Sequence, residues 1–164
     1  MRGVISVLKR CNAIISQVVK AVVVGLAFLM VVTICWQVAM RFAFNAPPSW
    51  TEEFALLLFS WTMLLMLAVG VREAFHVRMD ILIERMPAGG RQWLESLISV
   101  ATLAFGVYLA IAGVDYVREM RGSSSAAMGY PIALLYSAAP VCGGLICLFS
   151  IERLLSCVGS GDSV

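Results

Sequence analysis

The chain has 164 residues; 61% are hydrophobic, 13% are charged, and the formal net charge at pH 7 is +2. A soluble domain is about 45–50% apolar and about 25% charged, so this composition excludes an ordinary water-soluble domain. So small a net charge gives no reason to expect nucleic acid as a partner, and membrane lipids are the expected surroundings.

Four stretches of the chain carry no Asp, Glu, Lys, Arg or His and are long enough to cross a bilayer, which takes roughly 20 apolar residues. The first is longer than the apolar core of a signal peptide and no clear cleavage site follows it, so we interpret it as a retained helix. The last opens on Gly122 and three serines, which predict a loop, so its helix should begin near Tyr130 or Pro131. The predicted transmembrane helices are about 21–40, 54–71, 96–114 and 130–151.

Two amphipathic segments accompany these helices. Residues 2–20 place apolar side chains on one helical face and basic and polar ones mostly opposite, which is typical of a helix lying in the membrane interface. Met79 to Met86 show a shorter apolar face and end at Pro87. We therefore predict an all-α integral membrane protein, a single membrane domain over residues 1–164, with four transmembrane helices, an N-terminal amphipathic interfacial helix and a short cytoplasmic interfacial helix.

Lys and Arg residues are divided unevenly between the two sides of the predicted membrane. Nine lie in the N-terminal segment, the loop after the second helix and the C-terminal tail, and three lie in the other connections. Positive residues are retained on the cytoplasmic side, so we expect both termini in the cytoplasm. None of the five cysteines lies in an outward loop, and we expect no disulfide.

The outward loop before the second helix contains two acidic residues with two possible roles. Ser49 and Glu52 have the spacing of a capping box, and Glu52 and Glu53 would lie at a helix N terminus, where negative charge is favoured. The same carboxylates face the side on which an outside partner would dock. Capping and partner contact both remain open for them.

Two features of the last helix predict its packing. Pro140 has no N–H to donate to Tyr136, so it should kink the helix. Ala139 and Gly143 are small residues four apart, as are Gly106 and Ala110 in the third helix. Such pairs allow helices to approach closely in membranes.

No residue pattern in the chain indicates a chemical site. The four apolar runs contain no ionisable residue, although such residues usually mark ion or proton pathways in membranes. Because His76 is the single histidine of the sequence, bis-histidine haem ligation within the chain is excluded. No Cys/His cluster has metal-binding spacing. We therefore predict no catalytic residue, no cofactor and no metal, and interpret the chain as a membrane subunit that acts on a partner.

An ordered set of motifs runs along the helices. It consists of Gln37-x-x-x-Arg41, Trp50-x-Glu52-Glu53, Trp61, Arg72-x-x-x-His76-x-x-x-Asp80, Met128-Gly129-Tyr130-Pro131, Tyr136 and Pro140. Over roughly residues 20–155 this set resembles the small membrane subunit of TRAP transporters, the DctQ-like family. One departure is Leu65-Met66-Leu67, where that family often has a Gly-Ala stretch.

The resemblance implies a non-enzymatic small permease subunit in a bacterial inner membrane. Such a subunit forms a stable heterodimer with a large membrane subunit, which carries the substrate and sodium sites, and meets a periplasmic solute-binding protein transiently. The family takes up organic acids such as C4-dicarboxylates by ion-gradient-driven symport. The small subunit extends the fixed scaffold of the large one.

The motif residues are candidate partner contacts or structural positions. Each also has a local interpretation: belt or packing residues for the tryptophans, boundary anchors for the arginines, helix entry for Pro131, and a hydrogen bond between His76 and Asp80, one helical turn apart. The candidate residues are Gln37, Arg41, Trp50, Glu52, Glu53, Trp61, Arg72, His76, Asp80, Pro131 and Pro140.

Two other classes of protein compete with the TRAP interpretation. A membrane-anchor subunit of a redox enzyme complex has a similar size and number of helices, but the single histidine disfavours it. A stand-alone small transporter would need a membrane-embedded acidic residue, and the four apolar runs contain none.

Overall fold

The computed structural model describes residues 2–83 and 88–160, with side chains described for residues 10–73 and 97–154. It is built of helices: α1 (Arg2–Phe44), α2 (Trp50–Ile83), α3 (Ala88–Glu119), α4 (Ala133–Tyr136) and α5 (Ala138–Ser160). Four segments are long and apolar enough to cross a membrane. They are Arg10–Phe44, Trp50–Glu73, Leu97–Glu119 and Ala133–Leu154.

These four segments overlap the four predicted transmembrane helices, so the all-α fold and the number of spans are confirmed. That residues 1–164 form a single membrane domain stays a prediction. In the bundle, α5 contacts each of the other helices, whereas α1 packs mainly on α2 and α3 packs mainly on α5. The buried core lies where α5 meets α2, and consists of Ala68, Cys142, Ile146 and Phe149.

The contact between α3 and α5 depends on glycine. A Cβ atom added to Gly143 would lie 2.5 Å from the backbone nitrogen of Ala110 and 2.7 Å from the carbonyl oxygen of Gly106. Further along, a Cβ atom on Gly113 would lie 2.7 Å from Cδ of Pro140. The predicted small residues Gly106, Ala110 and Gly143 therefore meet, and they bring the two backbones into direct contact.

The last predicted helix is interrupted. Pro131 forms an isolated bridge with Ser124, and its carbonyl accepts the N–H of Leu134 at 2.9 Å, so a first turn leads from Pro131 into α4, which begins at Ala133. The interruption is at Ser137, between α4 and α5. Because Pro140 cannot donate to Tyr136, the helical hydrogen-bond pattern fails at this turn, where the kink was predicted.

The N-terminal leader is continuous with the first transmembrane helix. α1 has 43 residues, which is about 65 Å and roughly twice the hydrocarbon thickness of a bilayer. Ser16, on the polar face of this segment, is 1% exposed and turns toward the bundle, whereas Ile14 and Val18 on the apolar face are each 56% exposed. A separate interfacial helix is not confirmed, and an interfacial position for residues 2–20 stays a prediction.

The second predicted interfacial helix is not separate either. α2 continues without a break to Ile83, so residues 79–83 are its last turn. Residues 84–87, which include Met86 and Pro87, lie outside the described part of the chain. A cytoplasmic interfacial helix is therefore not confirmed.

Candidate partner-binding ends of the bundle

Among the described residues, most of the polar contacts between different helices and loops lie at the two ends of the bundle. We call the end with the connections 45–49 and 120–132 the loop end, and the end with residues 10–20, 72–73 and 148–154 the terminal end. The candidate residues from the sequence are divided between these ends and do not form one site.

At the loop end, Glu53 binds a loop of its own chain. Its carboxylate accepts hydrogen bonds from the backbone N–H groups of Ala127 and Met128, each at 3.0 Å, and from the hydroxyl of Ser125. Hydrogen bonds to a charged acceptor are the stronger kind. The carboxylate holds the segment 125–128 against the start of α2, a contact that the sequence analysis did not include, and the two roles considered there stay predictions.

The segment held by Glu53 is itself a closed turn. The N–H of Ser125 donates to the carbonyl of Tyr130 at 2.9 Å, and the N–H of Gly129 donates to the carbonyl of Ser125 at 3.2 Å. Gly129 has a φ of +70°, which glycine adopts without the steric cost of a Cβ atom. The turn therefore presents the two backbone N–H groups to Glu53 in a fixed position.

Glu52 joins the first two helices at the same end. Its carboxylate accepts a hydrogen bond from the side-chain amide of Gln37 at 3.1 Å; Glu52 is exposed and Gln37 is half-buried. Arg41, in the last turn of α1, and Trp50, which is 42% exposed, also lie on this end. At the start of α2, Thr51 stabilises the preceding turn, because its hydroxyl donates to the carbonyl of Pro48 at 2.6 Å.

Trp61 supports the interrupted helix. Its indole N–H donates to the carbonyl of Leu134 at 3.1 Å, and the hydroxyl of Ser137 donates to the same oxygen at 2.7 Å. Next to it, the rings of Tyr116 and Tyr136 stack edge to face with centroids 4.6 Å apart. Trp61 thus ties α2 to α4 next to the interruption, and its role as a belt, packing or partner-contact residue stays a prediction.

At the terminal end, three contacts tie α1, α2 and α5 together. The amide of Asn12 donates to the carboxylate of Glu152 at 2.7 Å, and Lys20 forms an ion pair with Glu73. The guanidinium of Arg72 lies 5.6 Å from the centre of the Phe149 ring, a cation–π distance. The side chains of His76 and Asp80 lie outside those described, so their contact stays a prediction.

Sequence reasoning missed two of the polar residues that fasten the bundle. Asn12 is 1% exposed, and its signal was a single amide in the otherwise apolar run of residues 11–15. Ser125 was interpreted as part of a loop, and nothing in the sequence indicated that its hydroxyl donates to the carboxylate of Glu53. Among the described residues, no group of three or more His, Cys, Asp or Glu side chains could hold a metal ion.

Comparison with known proteins identifies the family of this bundle. Residues 30–159 match the family described as "Tripartite ATP-independent periplasmic transporters, DctQ component". The sialic acid TRAP transporter small permease protein SiaQ of Vibrio cholerae is 22% identical over 149 residues, which is 91% of this chain and 86% of that protein. The C4-dicarboxylate TRAP transporter small permease protein DctQ of Rhodobacter capsulatus is 33% identical over 69% of this chain and 51% of its own length.

A longer relative contains this type of chain as a part. The isethionate TRAP transporter permease protein DctMQ of Oleidesulfovibrio alaskensis is 25% identical over 120 residues, which is 70% of this chain but only 19% of that protein. These relatives are transporter permease proteins, which favours the transporter class over the redox anchor. The chain therefore belongs to the DctQ family, the small permease subunits of TRAP transporters, and is a multi-pass membrane protein.

Proposed function

We propose that this chain is the scaffold partner of a large TRAP permease subunit in a bacterial inner membrane, where a sodium gradient drives uptake of an organic acid such as a C4-dicarboxylate. The observation that carries the proposal is a bundle fastened at both ends. Glu53 holds the 125–128 turn at the loop end, and Asn12 holds Glu152 at the terminal end. Because its helices are held together at both ends, such a bundle is suited to act as a fixed support for a large subunit that moves during transport.

The outside of the bundle supports a membrane partner. Large apolar side chains are exposed along three helices, for example Phe28 (71%) on α1, Met63 (57%) on α2 and Ile111 (60%) on α3. Such surfaces meet either lipid or another membrane protein. The long relative DctMQ joins a region like this chain to a much larger permease, which supports a large permease subunit as the partner.

The uneven distribution of Lys and Arg supports an orientation with both termini in the cytoplasm. The loop end then faces the periplasm, where a solute-binding protein would dock transiently. Glu53 is engaged by its own chain, so the docking contacts of this end would come from its exposed side chains. Among the candidate residues, Arg41, Trp50 and Glu52 are exposed there.

Co-purification from native membranes tests the proposal. The tagged chain, expressed with its neighbouring genes, should bring down a large multi-span permease in a stoichiometric complex. Reconstituted with that permease and the cognate binding protein, it should support uptake of a labelled C4-dicarboxylate under a sodium gradient, and an equal potassium gradient is the control. Recovery of a haem or flavin enzyme instead, or transport by the purified chain alone, would overturn the proposal.

A further inference from the structure

Arg72 is a cationic side chain with a fixed position at the terminal end of the bundle. It is the last residue but one of the span Trp50–Glu73, so it lies near the level at which the hydrocarbon of a bilayer meets the lipid headgroups. The side chain is half-buried, and its guanidinium lies 5.6 Å from the centre of the Phe149 ring on α5. Because Phe149 belongs to the buried core, the charge rests on a ring that is itself held in place.

The guanidinium of Arg72 has no carboxylate partner among the described side chains. The two acidic residues described at this end both contact α1, since Glu73 pairs with Lys20 and Glu152 accepts a hydrogen bond from Asn12. A guanidinium carries five N–H donors. The aromatic ring attracts its charge but leaves these donors available to an acceptor that is not one of the described residues.

The terminal end also has an excess of positive charge. Its described side chains include four basic and two acidic ones. Arg153 is half-buried and follows Phe149 by four residues on α5, which places it on the same face of the helix as the ring. An anion next to Phe149, between α2 and α5, would therefore be attracted from both helices. The four basic residues are Arg10, Lys20, Arg72 and Arg153.

The level of Arg72 in the membrane indicates which anion suits it. A planar guanidinium binds phosphate oxygens through two parallel N–H groups, and the phosphates of a bilayer lie just outside its hydrocarbon. Toward the middle of the membrane, α2 exposes Met66 (52%) and Leu67 (43%), which are suited to contact with acyl chains. A phospholipid offers both a phosphate and acyl chains, whereas a free phosphate ion offers only the first.

We propose that Arg72, stacked on Phe149, binds the phosphate of an anionic phospholipid in the leaflet at the terminal end. Basic pockets between transmembrane helices recognise anionic headgroups through the same combination of charge and shape. The excess of basic side chains at this end favours a lipid with a net negative charge, such as phosphatidylglycerol, over a zwitterionic one. This lipid site goes beyond the proposed transport function and does not depend on it.

Native mass spectrometry of the full chain tests the site. The delipidated protein is mixed with phosphatidylglycerol, or with phosphatidylcholine of the same acyl chains, and the fraction that retains lipid is measured. Wild type should retain phosphatidylglycerol more strongly than phosphatidylcholine. Arg72→Gln should weaken retention of phosphatidylglycerol about fivefold. Arg10→Gln, which removes the same charge from an exposed position of the same end, should weaken it less than about twofold.

Two further measurements distinguish this site from simpler sources of lipid retention. Arg72→Lys keeps the charge but lacks the planar fork of arginine, so it should restore less than about half of the loss. Phosphatidylglycerol should raise the melting temperature of wild type, whereas inorganic phosphate added without lipid should not. The proposal is overturned by wild type that does not prefer phosphatidylglycerol, by equal losses in Arg72→Gln and Arg10→Gln, by full recovery with lysine, or by stabilisation with inorganic phosphate alone.

Discussion

Helices α5 and α1 are both long and apolar, yet they are held in the bundle in different ways. On α5, Ala138, Cys142 and Ile146 are completely buried, and Gly143 brings the backbone against α3. α1 exposes Val24 and Phe28 at 69% and 71%. Shape complementarity holds α5, whereas α1 is fastened by a few polar contacts.

This difference follows from the surroundings of the helices. Lipid tails are as apolar as leucine, so hydrophobicity does not decide which face of a helix turns inward. On α5 the small residues determine which face turns inward, because they permit the closest approach of a neighbouring helix. On α1 the most buried side chains include the polar residues Asn12, Ser16 and Thr33, at 1%, 1% and 6% exposure, whereas large apolar side chains such as Val24 and Phe28 point outward.

The largest effect is expected from adding one methyl group to the face of α5 that packs on α3. At Gly143 the new Cβ atom would lie 2.5 Å from backbone of α3, whereas at Gly144 it would meet nothing within 4 Å. We expect Gly143→Ala to lower the free energy of unfolding in detergent by about 3 kcal/mol, and Gly144→Ala to leave it unchanged or raise it slightly. Equal stabilities of the two variants would show that close approach of α3 and α5 does not hold the bundle.

A smaller, local effect is expected at the turn that leads into α5. Glu53→Gln places an amide group among the donors of the 125–128 turn and removes the charge that they bind. Hydrogen exchange of the Ala127 and Met128 amides should then be faster by about an order of magnitude. In Glu52→Gln, which alters only the contact with Gln37, exchange in the turn should stay as in wild type; faster exchange there would refute the assignment to Glu53.

The number of spans and the positions where helices approach closely were predictable because each depends on local sequence. Charges are excluded from hydrocarbon, so charge-free runs mark the spans, and Gly106, Ala110 and Gly143 mark a close approach. Continuity of the helices was missed although a signal existed: there is no proline between Arg2 and Phe44. The amphipathic pattern was interpreted as a separate helix when nothing in the sequence ends one.

The role of Glu53 could not be predicted in the same way. Its acceptor atoms and the amide of Met128 are 75 residues apart in sequence, and the contact exists only because the 125–128 turn folds over the start of α2. In the sequence, a glutamate at a helix start looks like a capping residue, whichever hydrogen-bond donors its carboxylate contacts in the folded chain. Asn12 and Glu152, 140 residues apart, meet for a similar reason, through the packing of α1 on α5.

An intermediate effect is expected from removing the polar contact that holds α1 on α5. Asn12→Ala deletes the hydrogen bonds to Glu152 at 2.7 Å and to the carbonyl of Leu148 at 3.4 Å. We expect a loss of about 1–2 kcal/mol in the free energy of unfolding. Cys11→Ala, at the exposed neighbouring position, is the control, and a loss of similar size there would mean that the loss at residue 12 reflects packing and not hydrogen bonding.

The smallest effect is expected at the ion pair of Lys20 with Glu73, although it joins α1 to α2. Both side chains are about half exposed, at 45% and 53%, so water and salt screen the attraction. A double-mutant cycle with Lys20→Ala and Glu73→Ala should give a coupling of about 0.5 kcal/mol that decreases as salt is added. A coupling as large as the effect of Asn12→Ala, and independent of salt, would instead show that this end of α1 is shielded from water, for example by a partner subunit. The contrast between the buried contact of Asn12 and the exposed ion pair of Lys20 would then not hold.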